Sequence, residues 1–317
     1  MSSSTRVAAV DCGTNSIRLL VADVSDDGTL TELDRRMEIV RLGQGVDRTG
    51  ELAPEALERT LAASREYAKV AAEMGATRVR FVATSATRDA RNRADFAAGV
   101  RAALGVDPEV VSGEEEALLS FRGATSGSAS EHPGPYLVVD LGGGSTELVL
   151  GSTTPDAAVS MDVGSVRLTE RHLHSDPPAA AEISRARADV TSALDAASAV
   201  VPLGRTATLV GLAGSVTSVT AHALGLTSYR RETINGAVLS VDDVLAACED
   251  LLGRTREERL ALGFMHPGRA DVIGAGALVW SQVVTRVRDE VAASGGALTH
   301  VVTSESDILD GIALSLA

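Results

Sequence analysis

The feature that most restricts the fold is a short segment that occurs twice. Val10, Asp11, Gly13, Ser16 and Leu19 recur 129 residues later as Val139, Asp140, Gly142, Ser145 and Leu148, each copy flanked by apolar, strand-like runs. The identities fall on an acidic residue and the turn behind it, VDCGTNS in the first copy and VDLGGGS in the second. A chain of 317 residues has room for two domains, and the repeat predicts that the second duplicates the first.

Strand and helix patterns alternate around both copies. The run VAAV, the turn DCGTNS and the run IRLLVADV read as a hairpin. An amphipathic helix is predicted over 54–74, stopped by Gly75, then the strand RVRFVAT, an Arg-rich loop SATRDARNR, a helix over 94–104, a short strand EVVS and a helix from near Glu114. Past the Ser/Gly/Pro-rich connection 126–135, helices are predicted over 179–200, 241–252, 255–262 and 270–292. TATLVGLAGSVTSVTAHAL reads as strand, glycine turn and helix, and the chain closes with HVVTS and SDILDGIALSL, where Ser304 and Asp307 are placed to cap. Strand alternating with helix defines an α/β protein, with one domain over 1–125 and the other over 126–303.

Composition removes several classes of function. A hydrophobic content of 44% and a charged content of 23% belong to a globular chain. Two cysteines, Cys12 and Cys248, make no disulfide framework, and no Cys/His spacing suits zinc. The net charge of −14 opposes binding to nucleic acid or to an anionic membrane. Locally, the stretch Arg78–Arg101 holds six Arg against Asp89 and Asp95, where a small anion could dock. Thr206–Tyr229 lacks Asp, Glu, Lys and Arg for 24 residues, but its eight Ser or Thr and three Gly suit a buried strand and helix better than lipid. No export leader is read at the start, and the cysteine usage fits a reducing compartment, so a cytoplasmic location is expected.

The repeated turns carry the chemistry. Glycine lets a backbone approach closely and take positive φ, so the N–H groups of Gly13, Thr14, Asn15 and Ser16, and of Gly142, Gly143, Gly144 and Ser145, can cradle phosphate oxygens. Asp11, Asp140 and Glu147 stand beside those turns as candidate ligands for Mg²⁺, with Mn²⁺ as a substitute, because Mg²⁺ favours one or two carboxylates together with phosphate oxygens. Facing loops from two similar domains would make a cleft that grips a phosphate chain. Glu114, Glu115 and Glu116 open a helix, and the residues alone do not choose among them. Cys12 reads as a packing residue and the six histidines show no metal spacing.

AAVDCGTNSIRLLVADV, VATSATR, SGEEEALLSFRGA, VVDLGGGSTELVLG and GLAGSVTSV, in that order, resemble the exopolyphosphatase and guanosine pentaphosphate phosphohydrolase (Ppx/GppA) family from about Ala8 to Ile312. The resemblance implies the actin, Hsp70 and sugar-kinase superfamily fold: two duplicated actin-like, ribonuclease H-like domains, phosphates bound in the interdomain cleft, and a C-terminal helix over 304–317 returning to the first domain. It implies Glu116 as the base acting on water, Arg88 and Asn92 as phosphate contacts, and Gly211, Gly214 and Ser215 as a third contacting loop. The activity implied is release of terminal orthophosphate from inorganic polyphosphate. The alternatives are 5′-phosphohydrolysis of guanosine pentaphosphate and a regulatory module that binds the alarmone with little catalysis. Longer family members add a helical domain with an HD signature, absent here, which favours shorter chains. Family members often dimerise, so a homodimer is a further expectation. With eight aromatic residues in all, the chain is poor in stacking groups, and this leans the reading towards polyphosphate.

Overall fold

The computed structural model describes residues 4–127 and 131–317. Two nearly continuous apolar runs, Ser4–Cys12 (β1) and Ser16–Ser25 (β2), pair antiparallel as the predicted hairpin, with Asp11 opposite Arg18. A further strand, Leu30–Ile39 (β3), joins the far edge of β2. Its residues are polar and largely exposed, so no alternation announces it, and backbone pairing rather than burial holds it. Next come Val46–Thr49 (α1), Pro54–Glu73 (α2), Arg78–Ala83 (β4), Ser85–Asp89 (α3), Arg93–Leu104 (α4), Glu109–Val110 (β5) and Gly113–Ser126 (α5). The sheet order is β3-β2-β1-β4-β5, with β1, β4 and β5 parallel. The stretch expected to be an Arg-rich loop is partly the helix α3, and the strand read from EVVS shrinks to two residues.

Alternation along β1 sends Ala8, Val10 and Cys12 to one face and Val7 and Ala9 to the other. The first face is covered by apolar side chains of α2 and α4, including Tyr67, Phe96 and Val100. The second is covered by Leu119 of α5 and by Ile308–Leu314 (the last helix, α13), with Leu309 and Ile312 fully buried.

The second sheet repeats this plan. Tyr136–Leu141 (β6), Thr146–Gly151 (β7) and Pro155–Met161 (β8) form an antiparallel meander, with Asp140 opposite Glu147. Ser165–His172 (α6) and Ala180–Ser198 (α7) lead to Thr208–Leu212 (β9), Ala213–Ala223 (α8), Arg231–Ile234 (α9), Val238–Ser240 (β10), Val241–Gly253 (α10), Arg256–Leu260 (α11), Ile273–Ala293 (α12) and His300–Thr303 (β11). The order is β10-β11-β9-β6-β7-β8, with β6, β9 and β11 parallel. Read from β8 to β11, order and direction match β3 to β5 of the first sheet, so the duplication extends from the turn residues to the topology. α12 carries the buried Trp280 through the core of this unit.

The chain forms two compact units, Met1–Gly123 with Ile308–Ala317, and Ala124–Asp307. The division falls in the last turn of α5, ahead of the Ser/Gly/Pro-rich stretch, part of which lies outside the described residues. None of the described helices is long and apolar enough to cross a membrane.

Two expectations change. Ser304 does not cap α13 as a helix N-cap does; its hydroxyl donates to the Ser306 carbonyl and accepts the Ser306 N–H, closing a local turn. The arginines between 78 and 101 are mostly committed to the protein itself. Arg78 donates to the Leu316 carbonyl, and Arg80 binds Glu109, Glu115 and the Ser315 hydroxyl. Arg91 is held by the Thr49 carbonyl and Glu51, and Arg101 by Asp107. With Arg122 donating to the Leu314 carbonyl, Arg78 and Arg80 clasp the C-terminal end of α13, where cations suit exposed carbonyls.

Gly311 marks how closely α13 seats. A methyl group there would lie 2.0 Å from the Leu119 carbonyl oxygen and 2.7 Å from its carbon. Gly311→Ala should therefore cost about 1–3 kcal/mol of stability, read as a lower midpoint of chemical denaturation.

Candidate active site

In the first unit the site grows from the C-terminal ends of two parallel strands. β1 and β4 end level with each other, Cys12 beside Ala83. Their register places Asp11 beside Val82, and alternation then puts Asp11 and Thr84 on the same face of the sheet. That face also receives α5, which brings Glu116. Glu116, 7% exposed, accepts a hydrogen bond from Arg88 Nη1 at 2.6 Å on its carboxylate. Burial pushes its pKa up to about 6; Arg88 and Thr84 hold it down against that rise, while the charge of Asp11 adds to it. Arg88 Nη1 also donates to the Val111 carbonyl, so a single nitrogen makes both of these contacts. Asp11 is balanced by Arg18, whose Nε and Nη2 reach the same carboxylate oxygen at 3.0 and 2.7 Å.

The loop between the strands is a tight turn in both units. Gly13 N–H donates to the Ser16 carbonyl at 2.9 Å, and Gly142 N–H to that of Ser145 at 3.0 Å. Remaining loop carbonyls are captured by the segment that follows the third strand of each meander. In the first unit Asn15 O accepts the N–H groups of Val40 and Arg41, and Thr14 O accepts that of Gly43. In the second, Gly142 O accepts Ser165 N–H, Gly143 O accepts those of Val166 and Arg167, and Gly144 O accepts Arg167 Nε. A loop whose carbonyls are held on one side has its N–H groups available for an anion on the other. The Thr14 hydroxyl is buried without a hydrogen-bond partner among the described residues, a costly state that a phosphate oxygen would relieve.

The glycines of these turns serve differently from expectation. None of Gly13, Gly142, Gly143 or Gly144 has positive φ. Crowding is found instead at Gly142, where a Cβ would lie 3.1 Å from the Ser145 carbonyl oxygen, and at two glycines outside the turns, Gly164 against the backbone of Gly143 and Gly144 and Gly43 against Thr14. Gly43 and Gly164 were missed in the sequence because each lies far from the loop it supports; a glycine shortly after the third strand of each repeat was the available signal.

The two repeats differ where it matters. The position of Arg18 in the first hairpin is taken by Glu147 in the second, so Asp140 faces a second carboxylate rather than a cation. Both are buried, at 6% and 1% exposure, and Glu147 Oε1 accepts from the Ser160 hydroxyl at 2.7 Å. Adjacent buried carboxylates repel, and a hard divalent cation balances them with oxygen ligands, so this donor set fits Mg²⁺. Asp11, expected as a metal ligand, is paired with Arg18 through one carboxylate oxygen. Within each unit, among the described residues, no three His, Cys, Asp or Glu side chains converge as metal ligands.

Other expected residues fall elsewhere. Both ends of the Asn92 amide engage the Leu52 backbone, at 2.9 and 3.0 Å, so Asn92 braces the approach to α2. Gly214 and Ser215 lie in the first turn of α8 rather than in an open loop, behind Ala213, whose φ of 70° is rare for a residue with a side chain. Gly214 is pressed by the Arg269 guanidinium, which also donates to its carbonyl at 3.2 Å, and Ser215 packs on Gly276. Gly211 lies within β9 and packs on Trp280. Cys12 is buried, with its thiol pKa pushed well up by burial, in keeping with a packing role.

An anion cradle at a repeated strand end, beside a buried carboxylate held by an arginine, defines a protein built to handle phosphate. The description of the Ppx/GppA phosphatase family matches residues 20–306, and the chain belongs to that family. It is 50% identical over 321 residues to exopolyphosphatase 2 of Mycobacterium tuberculosis, covering 99% of each chain. It superposes on the crystal structure of an exopolyphosphatase-like protein with a TM-score of 0.97 at 49% identity, covering 99% of this chain and 98% of that one. The Aquifex aeolicus PPX-GPPA enzyme is similar with a TM-score of 0.79 at 29% identity, covering 99% of this chain and 100% of that one.

Gly164→Ala tests the loop support. The added methyl group would lie 2.5 Å from the Gly143 carbonyl and 2.7 Å from Gly144 N. Displacing the loop by a fraction of an ångström to an ångström should lower phosphatase turnover by up to about a hundredfold, measured as phosphate release by the folded variant.

Proposed function

We propose that this chain is an exopolyphosphatase that releases terminal orthophosphate from inorganic polyphosphate by attack of water. The observation that carries the reading is the buried Glu116, raised into the range of a working base and held by Arg88. Its carboxylate takes the proton of a water as that oxygen bonds to the terminal phosphorus. The bridging P–O bond breaks, and its electron pair leaves on the shortened chain. Arg88 meets the negative charge of the transferred group: its Nε and Nη2 have no protein partner among the described residues, while Nη1 stays on Glu116. In the first unit the N–H groups of Thr14 and Asn15, and in the second those of Gly143 and Gly144 and those opening α8 at Gly214 and Ser215, are the further donors offered to phosphate oxygens. Asp140 and Glu147 are the residues that would hold Mg²⁺, which when bound screens phosphate charge and polarises the phosphoryl group. The extended anion asks for charge and hydrogen-bond donors rather than a shaped pocket, which favours it over a nucleoside substrate.

Phosphate release from short and long polyphosphate, guanosine pentaphosphate and ATP, compared between the wild type and Glu116→Gln, tests the reading. Release from polyphosphate that falls by at least about a thousandfold in the variant supports it; release that survives the substitution overturns it. Because water is activated by the ionised carboxylate, kcat/KM should rise as pH increases through about 6 and level off above. For the metal, Asp140→Asn with Glu147→Gln should abolish Mg²⁺ binding measured calorimetrically without substrate.

A further inference from the structure

We infer that Gly276 is a positioning residue that sets the spacing between the two groups of phosphate donors in the second unit. The inference rests on reading the second turn and the opening of α8 as phosphate sites. Gly276 lies in the first turn of α12. A Cβ there would lie 2.3 Å from the Ser215 hydroxyl oxygen, 2.7 Å from Ser215 Cβ and 3.4 Å from Ser165 Cβ. Ser215 stands in the first turn of α8, whose leading N–H groups have no partner within the helix. Ser165 opens α6, and its N–H donates to the Gly142 carbonyl at 3.0 Å, one of the bonds that take up the carbonyls of the second turn. A single position without a side chain therefore touches both the α8 donors and the brace of the second turn.

The start of α12 is itself held from other sides. Residues two apart on a helix point in nearly opposite directions, and Gly274 faces Arg259, whose Nη2 would lie 2.6 Å from a Cβ there. Arg259 is buried and donates to the Leu251 carbonyl at 2.9 Å, to that of Leu252 at 3.1 Å and to that of Ala270 at 3.3 Å. It thereby locks the end of α10 to the segment that leads into α12. One turn beyond Gly276, the buried Trp280 lies against Gly211 of β9, where a Cβ would stand 2.6 Å from its ring. Bulk added at Gly276 consequently displaces α8 and α6 rather than α12. The Ser215 hydroxyl can swing aside but its Cβ cannot, so the first turn of α8 must shift by about 0.7 Å or more to reach van der Waals separation.

The test compares Gly276→Ala, Gly274→Ala and the double variant Gly276→Ala with Ser215→Gly in the full chain. Two readouts are taken: kcat and KM for polyphosphate, and the Kd of inorganic phosphate by calorimetry, which needs no turnover. In Gly276→Ala, KM and Kd should rise together by about tenfold, with kcat lowered less than about threefold, because the displaced groups hold the anion before and during reaction alike. Gly274→Ala, equally crowded but facing away from the donors, should lower the midpoint of chemical denaturation and leave KM and Kd within about twofold of wild type. The double variant removes the obstructing side chain and keeps the Ser215 N–H, and it should recover both constants. Where Gly276→Ala does not fold, Ser215→Thr crowds the same contact from the α8 side and should give the same rise. Wild-type KM and Kd in Gly276→Ala, an equal loss in Gly274→Ala, or no recovery in the double variant overturns the inference. A wild type that does not bind inorganic phosphate strikes the reading of these elements as phosphate sites, and the inference with it. A wild type that binds while Gly276→Ala binds equally well strikes the inference alone.

Discussion

Capture of the loop carbonyls is the interaction on which the rest of the molecule depends. In each unit a strand carries an acidic residue to its end, and the chain turns back within three residues. Left alone, such a turn would present a mixture of donors and acceptors. Val40, Arg41 and Gly43 in one unit, and Ser165, Val166 and Arg167 in the other, remove the acceptors by bonding them from behind. The third strand of each meander exists to deliver those segments. This explains why β3 persists with little apolar burial, and why Gly43 and Gly164 have no side chains.

Duplication then supplies two copies of one frame, and a single exchange separates their electrostatics. Arg18 makes the first hairpin end locally balanced, so that the unit can afford a buried Glu116 nearby. Glu147 at the equivalent place concentrates negative charge in the second unit. One copy is thereby suited to a proton acceptor and the other to a cation, on backbones of the same design. Buried charge is costly unless matched, and the matching differs in kind between the copies.

Much of this was legible in the sequence, and its limits have physical reasons. The long amphipathic helices and the hairpin followed from periodicity, because burial on one face sets that pattern. The Arg18/Glu147 exchange was also on the page, at the same offset of 129 as the identities; matching residues alone drew the eye past it. β3 was hidden because it is stabilised by hydrogen bonds that any side chain permits. The arginines between 78 and 101 misled because a count of charges does not reveal their partners, and Leu316 and Ser315 lie more than 200 residues away. Glycine was read as freedom of φ when at Gly142 it meant little room beside the Ser145 carbonyl.

The clasp of Arg78, Arg80 and Arg122 on α13 has a consequence for how the protein is made. The second unit is one uninterrupted stretch, whereas the first is completed only by Ile308–Ala317. On the ribosome the strands emerging first must wait, one apolar face of their sheet bare, until the final helix arrives. The part of the chain that is synthesised earliest is completed only after Ile308–Ala317 has emerged.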